Sequence, residues 1–190
     1  MAKNIGYLTS KRTVESDEVY TPDYVVNAIA KYIPKTNTRI LCPFDKDEHA
    51  FPKVLKKMGY DVVNTHFDPT TCIGTNFFDY IPEGMKKMGI THIISNPPFS
   101  IKDCVLEHCE KLDVSYALLL PLPTLQSNRR FKNVFSKGNT QALIFDKRIG
   151  YGTKDKPWEE IGMTNHFASI FICKGILPSP LIFDNLLSCD

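Results

Sequence analysis

The chain has 190 residues and a formal net charge of +2, with 43% hydrophobic and 23% charged residues, which is ordinary globular usage and excludes a disordered or fibrous polypeptide. No apolar run approaches the roughly 20 residues of a helical membrane span, and "MAKNIGYLTSKR" lacks the apolar stretch of a signal peptide, so no membrane association and a cytoplasmic location are the default expectations. So small a net charge does not announce nucleic acid, and the basic groups at Arg129, Arg130, Lys132 and at Lys147, Arg148 read equally well as solvated surface.

In chain order, "TPDYVVNAIAKYI" opens a helix: Thr21 suits the cap, Pro22 the first helical position, and Val25, Ile29 and Tyr32 recur at helical spacing. "RILC" (39–42) is a short apolar strand. "AFPKVLKKMGY" then puts Phe51, Val54, Leu55 and Met58 on one helical face, with Pro52 tolerable only near the first turn and Gly59 as the stop. "DVVNTHF" (61–67) reads as a second strand and "THIIS" (91–95) as a fully buried one. Ser100 with Asp103 has the form of a capping box before a helix whose face carries Ile101, Val105, Cys109 and Leu112. The strands "SYALLLPL", "TQALIFD" and "FASIFIC" (167–173) follow, with "LQSNRRFKNVF" as a helix between the first two.

This alternation predicts one α/β domain over residues 1–190, a mostly parallel sheet with helices on both faces. Residues 1–17 read as a flexible lead and 175–190 as a C-terminal extension, apolar enough either to pack on the core or to pair as an edge strand. The connection from Lys147 to His166 is long and polar, with Tyr151 and Trp158 in it, and connections of that length are usually functional or mobile. The six cysteines show no C-x-x-C pairing with histidines, and His49, His92, His108 and His166 show no ligand spacing, so buried thiols are expected and no metal.

The chemistry is concentrated at "SNPPFS" (95–100). Two adjacent prolines remove two backbone donors and fix two φ angles, making a stiff corner at the carboxyl end of a buried strand. By itself the tetrapeptide also reads as an exit turn with a core phenylalanine, but a buried strand before it and a helix after it put it on the rim where open sheets bind ligands. There the Asn96 side chain and the Pro97 carbonyl are two rigid acceptors and Phe99 a flat wall. That set suits a planar NH₂ on a heteroaromatic ring: accepting both its hydrogens favours pyramidal nitrogen and frees a lone pair otherwise delocalised into the ring.

On "NPPF" (96–99) the sequence resembles the S-adenosylmethionine-dependent amino-group methyltransferases. "DEVYTPDYVVNAI", "ILCPFD", "NFFDY", "ALLLPL" and "DKRIGYG" are similar to segments of small phage and mobile-element DNA adenine-N6 methyltransferases, so the likeness covers roughly residues 17–173. It implies a Rossmann-like class I fold of seven strands, the last two a reversed hairpin, with S-adenosylmethionine as cofactor. Asn96, Pro97, Pro98 and Phe99 would be catalytic, acting on a flipped-out or unpaired adenine of DNA as partner. Tyr20, Thr21 and Pro22 would lie near the methionine end of the cofactor, Cys42, Pro43, Phe44 and Asp45 in the loop after the first strand, and Asn76 and Phe77 beside its adenine. Two departures stand: Cys42 takes the acidic position of a loop that here has no glycine, and His66, with Asp68 two residues on, stands where an acid for the ribose is expected.

Of Phe77 and Phe78, one is expected in the core and one at the adenosine. Lys147, Arg148, Tyr151 and Trp158 would meet the nucleic acid, as exposed basic residues beside aromatics suit unpaired strands. RNA adenine or a glutamine amide fits the same corner, since each presents a planar NH₂. A catalytically silent relative that binds DNA or a partner protein is the third reading, resting on the missing glycines. The protein is expected as a monomer or homodimer.

Overall fold

All six apolar runs read as strands enter one seven-stranded sheet in the computed structural model, which describes residues 20–68, 73–152 and 167–186. In chain order they are β1 (Arg39–Cys42), β2 (Asp61–Asn64), β5 (His92–Ser95), β6 (Ser115–Pro121), β7 (Gln141–Phe145) and β8 (Ser169–Lys174), joined by β9 (Leu181–Asp184) from the tail. The order across the sheet is β2-β1-β5-β6-β8-β7-β9, and β8 runs antiparallel to both neighbours while every other pair is parallel. The reversed hairpin of β7 and β8 is as expected. The tail resolves its two alternatives as an edge: β9 pairs β7 in parallel, Leu143 opposite Ile182.

Strand residues alternate between two apolar layers because side chains along a strand point to opposite faces. Ile40, Ile94, Leu119 and Phe171 face α1 (Asp23–Ala30) and α2 (Ala50–Lys57). Leu41, Ile93, Leu118 and Ile172 face α3 (Pro82–Met88) and α4 (Lys102–Leu112). A shorter helix, α5 (Asn128–Asn133), follows β6. Helix α3, absent from the sequence reading, has Pro82 at its start and Gly89 in the left-handed region at its end, φ 69°.

Three local expectations change. Pro22 is the cap of α1 rather than its first residue, and Thr21 leaves its hydroxyl to another partner. The cap of α4 is Ile101, whose side chain makes no capping bond, rather than Ser100, and Asp103 pairs with Arg130. The run 61–67 divides, since β2 stops at Asn64 and Phe67–Asp68 (β3) turns back to pair with Ile73–Gly74 (β4). Gly74 makes that hairpin possible: its φ is +104°, and a Cβ there would fall 1.8 Å from the His66 carbonyl oxygen.

Candidate active site

In the order β2-β1-β5 the chain steps to one side of β1 and then to the other, so strand order reverses between β1 and β5. The loops leaving their carboxyl ends diverge at this point and open the crevice in which doubly wound folds bind ligands. The loop after β1 is Pro43–Asp45 and the loop after β5 is Asn96–Phe99. A hydrogen bond crosses the switch from the end of β5 to the loop after β1: the Ser95 hydroxyl donates to Asp45 Oδ2 at 2.6 Å, and both side chains are buried.

Asp45 is the buried carboxylate of the crevice, 5% exposed, and its second oxygen faces His49 Nδ1 at 3.5 Å. Cys42, at the position where the resemblance expects an acid, is wholly buried. Burial, then the charge of Asp45, hold its thiol well above the usual range, against a smaller opposite effect of Lys56. The group there is therefore a neutral thiol, and the negative charge sits three residues later. The missing glycines have a visible counterpart as well. Asp45 N–H donates to the Thr65 carbonyl at 3.2 Å and the Thr65 hydroxyl to the Pro43 carbonyl at 3.4 Å, so the loop is stitched sideways to the end of β2.

At the other wall, Asn96 Nδ2 donates to the Thr21 hydroxyl at 3.2 Å, while Asn96 Oδ1 is buried without a hydrogen-bond partner among the described residues. Pro97 is buried, and Pro98 and Phe99 are half-buried. The chain turns into a 3₁₀ segment in which the Pro98 carbonyl accepts from Ile101 N–H and the Phe99 carbonyl from Lys102; neither bond uses the Pro97 carbonyl. Phe99 meets Phe167 edge to face, ring centres 5.5 Å apart, and Phe167 lies 6.0 Å from the Tyr151 ring. Tyr20 is half-exposed, exchanges two 2.9 Å backbone bonds with Gly152 and sets its ring edge-on to His49; Pro22, next to Thr21, is buried.

The remaining expected residues distribute unevenly. Asn76 caps the 3₁₀ turn Phe77–Asp79 by accepting from Phe78 N–H. Phe77 is 2% exposed, packed against Phe44 and His108, so it is the core member of its pair and the half-buried Phe78 the outer one. Phe44 and His66 are half-buried. Tyr151 corrects an expectation: it is 3% exposed, not a surface aromatic beside Lys147 and Arg148, because its ring joins the apolar layer under α1. Lys147 is half-buried and Arg148 exposed. Trp158 lies outside the described residues.

Of the basic group before β7, Arg130 is buried, pairing with Asp103 at 2.6 Å and donating to the carbonyls of Pro123, Thr124 and Gln126; Arg129 pairs with Glu107. These two hold the rim after β6 together. The sequence analysis assigned no functional role to Ser95, Thr65 or Phe167. Ser95 was legible only as the last residue of a buried strand, and Phe167 only as the start of one.

No family model matches the chain, and no curated protein matches it in sequence. Among solved structures, a protein described as a modification subunit of a type I restriction enzyme from Vibrio vulnificus YJ016 superposes over 90% of this chain with a TM-score of 0.57 at 12% identity. The chain spans 47% of that protein, about half its length. A class I S-adenosylmethionine-dependent methyltransferase from Listeria monocytogenes matches over 89% of this chain and 66% of its own, with TM-score 0.48 and 14% identity. A TehB-like S-adenosylmethionine-dependent methyltransferase from Corynebacterium glutamicum matches over 90% and 97%, with TM-score 0.41 and 12% identity. At 12% identity the likeness to the Vibrio protein is one of fold.

Proposed function

We propose that the protein transfers the methyl group of S-adenosylmethionine to the exocyclic amine of adenine in DNA, with the target base turned out of the helix and held at Asn96–Phe99. One observation carries the reading: Asn96 Oδ1 is buried at the switch point with no partner among the described residues, although a buried acceptor left unmade costs about 1–3 kcal/mol. An oxygen kept in that condition suits a donor that arrives with the substrate. The bond from Asn96 Nδ2 to Thr21 fixes the amide plane, and the proline pair fixes the backbone, so the acceptor does not have to reorganise when the amine arrives.

The chain's own groups divide the work. Asn96 Oδ1 and the Pro97 carbonyl accept the two amine hydrogens and draw the nitrogen toward pyramidal geometry, and Phe99 covers a face of the base. The donor supplies, when bound, an electrophilic methyl on a sulfonium centre and needs no metal. Its methionine ammonium fits Asp45, a buried carboxylate whose bonded neighbour Ser95 is uncharged, and this places the charge that Cys42 no longer carries. Asn76, Phe78 and His66 are the groups offered to its adenosine, and Lys147 and Arg148 to the phosphate backbone of the nucleic acid.

Calorimetric titration with S-adenosylmethionine, followed by radiolabelled methyl transfer to duplex DNA, single-stranded DNA, RNA and protein extract, tests this reading. Binding, with label entering DNA adenine, supports it. Label entering RNA or a glutamine amide moves the activity to another planar NH₂, and no binding at millimolar cofactor leaves a silent relative.

A further inference from the structure

A chain of contacts leads from Asn96 round to Phe99. Asn96 bonds Thr21, Tyr20 bridges Gly152, Tyr151 packs on Phe167, and Phe167 packs on Phe99, three residues from Asn96. Tyr151, on this path, and its neighbour Ser169 each bury a polar atom with no complete hydrogen bond among the described residues: the Tyr151 phenol oxygen and Ser169 Oγ, on side chains 3% and 5% exposed. They are neighbours without completing a hydrogen bond to each other. Burial pushes the phenol up, and the Ser169 hydroxyl beside it draws it partly back. Next to them the Tyr24 hydroxyl is engaged, accepting from Gly150 N–H at 3.3 Å. A fold satisfies nearly all its buried polar atoms, so two neighbouring hydroxyls left without a complete hydrogen bond among the described residues, one of them on a residue joined to Asn96 through these contacts, stand out.

We propose that Tyr151 and Ser169 are specificity-determining residues whose hydroxyls hydrogen-bond a ring nitrogen flanking the amine of the target base. The inference rests on the amine-binding reading of Asn96 and extends it from the NH₂ to the ring that bears it. An aminated purine carries lone-pair nitrogens on either side of its amine-bearing carbon, N1 across one bond and N7 across the ring fusion. A buried hydroxyl donor beside an amine acceptor therefore reads the pattern acceptor next to donor. Two adjacent hydroxyls read it well, because Ser169 can donate to Tyr151 while the phenol donates onward to the nitrogen, satisfying every polar atom in the bound state. Sites built to pair a substrate's polar group reject the analogue lacking it, since the protein's own group is then left unpaired. The phenol is neutral throughout, as its burial requires, and remains a donor.

The test follows nucleoside binding by chemical-shift titration, for wild type, Tyr151→Phe and Ser169→Ala. The ligands are 2′-deoxyadenosine, its 1-deaza and 7-deaza analogues, and the purine deoxyriboside that lacks the amine. Wild type is expected to bind one of the deaza analogues roughly three- to tenfold more weakly than deoxyadenosine, the worth of one neutral hydrogen bond. Tyr151→Phe should bind deoxyadenosine as weakly as wild type binds that analogue, with no added loss when mutation and nitrogen deletion are combined. Its melting temperature should stay level or rise, because the free protein loses an unpaired buried hydroxyl. Equal weakening of all four nucleosides, no weakening at all, or a clear fall in melting temperature overturns the inference and leaves the phenol a structural group. Failure of the amine reading is separately visible, as equal binding of deoxyadenosine and the amine-free purine.

Discussion

Replacing Asn96 with alanine separates catalysis from stability, because its two side-chain atoms have opposite roles in the free protein. Nδ2 makes one bond to Thr21 at 3.2 Å, and losing it costs about 0.5–1.5 kcal/mol. Oδ1 is buried and unpaired among the described residues, and removing it relieves about 1–3 kcal/mol. The two nearly offset, so Asn96→Ala should lie within about 2 kcal/mol of wild type, a shift of no more than roughly 6 °C in melting temperature for a chain of this size. The rate should respond far more strongly. Deleting one preorganised group that acts on the reacting centre typically costs about 10²–10³ in kcat, or about 2.7–4 kcal/mol of barrier. Asn96→Asp keeps the acceptor and should recover most of the rate. The assay pairs thermal unfolding with single-turnover methyl transfer at saturating cofactor, plus a calorimetric check that cofactor affinity is unchanged. A variant that methylates at the wild-type rate refutes the role of the amide, and one that melts more than about 10 °C lower makes Asn96 a structural residue.

Asp45→Asn removes the buried carboxylate while leaving Ser95 an oxygen to bond, so calorimetry should show cofactor affinity falling about 10- to 100-fold with the fold intact; unchanged affinity would put the ammonium elsewhere. Arg130→Ala abandons Asp103 and three backbone carbonyls together and should cost about 2–4 kcal/mol, read as a fall of roughly 5–12 °C in melting temperature, and Arg130→Lys should not rescue it because an ammonium cannot span the same acceptors. Acidification should destabilise the fold through His92, whose pKa burial lowers from its ordinary 6.5. The folded state then binds fewer protons than the unfolded one, so the stabilisation is complete above about pH 6.5 and lost as pH falls through the lowered value. His108, whose pKa burial also lowers, adds to the same decline, so melting temperatures between pH 7.5 and 5 should show it and His92→Gln should reduce it without abolishing it.

Strands were legible wherever burial on both faces leaves a continuous apolar run, which is why 39–42, 92–95, 115–121 and 141–145 appear within a residue or two of their expected places. Residues 181–184 escaped because their edge position leaves Leu181 and Phe183 exposed, and no pattern inside the segment distinguishes an edge strand from a packed tail. The corner at 96–99 was legible as chemistry because prolines declare their geometry locally. Its supports were not, since Ser95 to Asp45 spans 50 residues and Asn96 to Thr21 spans 75. Distance along the chain also hid the destinations of Asp103 and Tyr151. A capping motif fits Asp103 by spacing alone, yet a guanidinium 27 positions away satisfies its carboxylate better than a helix end at the surface. Tyr151 looked exposed because its neighbours are polar, and only the folded chain brings Phe167 over it.

The last strand reaches further than its place at the sheet's margin suggests. Asp184 at its end receives the Tyr32 phenol at 2.6 Å and pairs with Lys31, both just past the end of α1, whose other end begins beside Thr21. One helix is thus tethered at its foot by the tail and at its head by the crevice. Ligand that tightens the head should also slow the peeling of the tail, so amide exchange along 181–184 offers a remote gauge of occupancy more than 80 positions away from the corner in sequence.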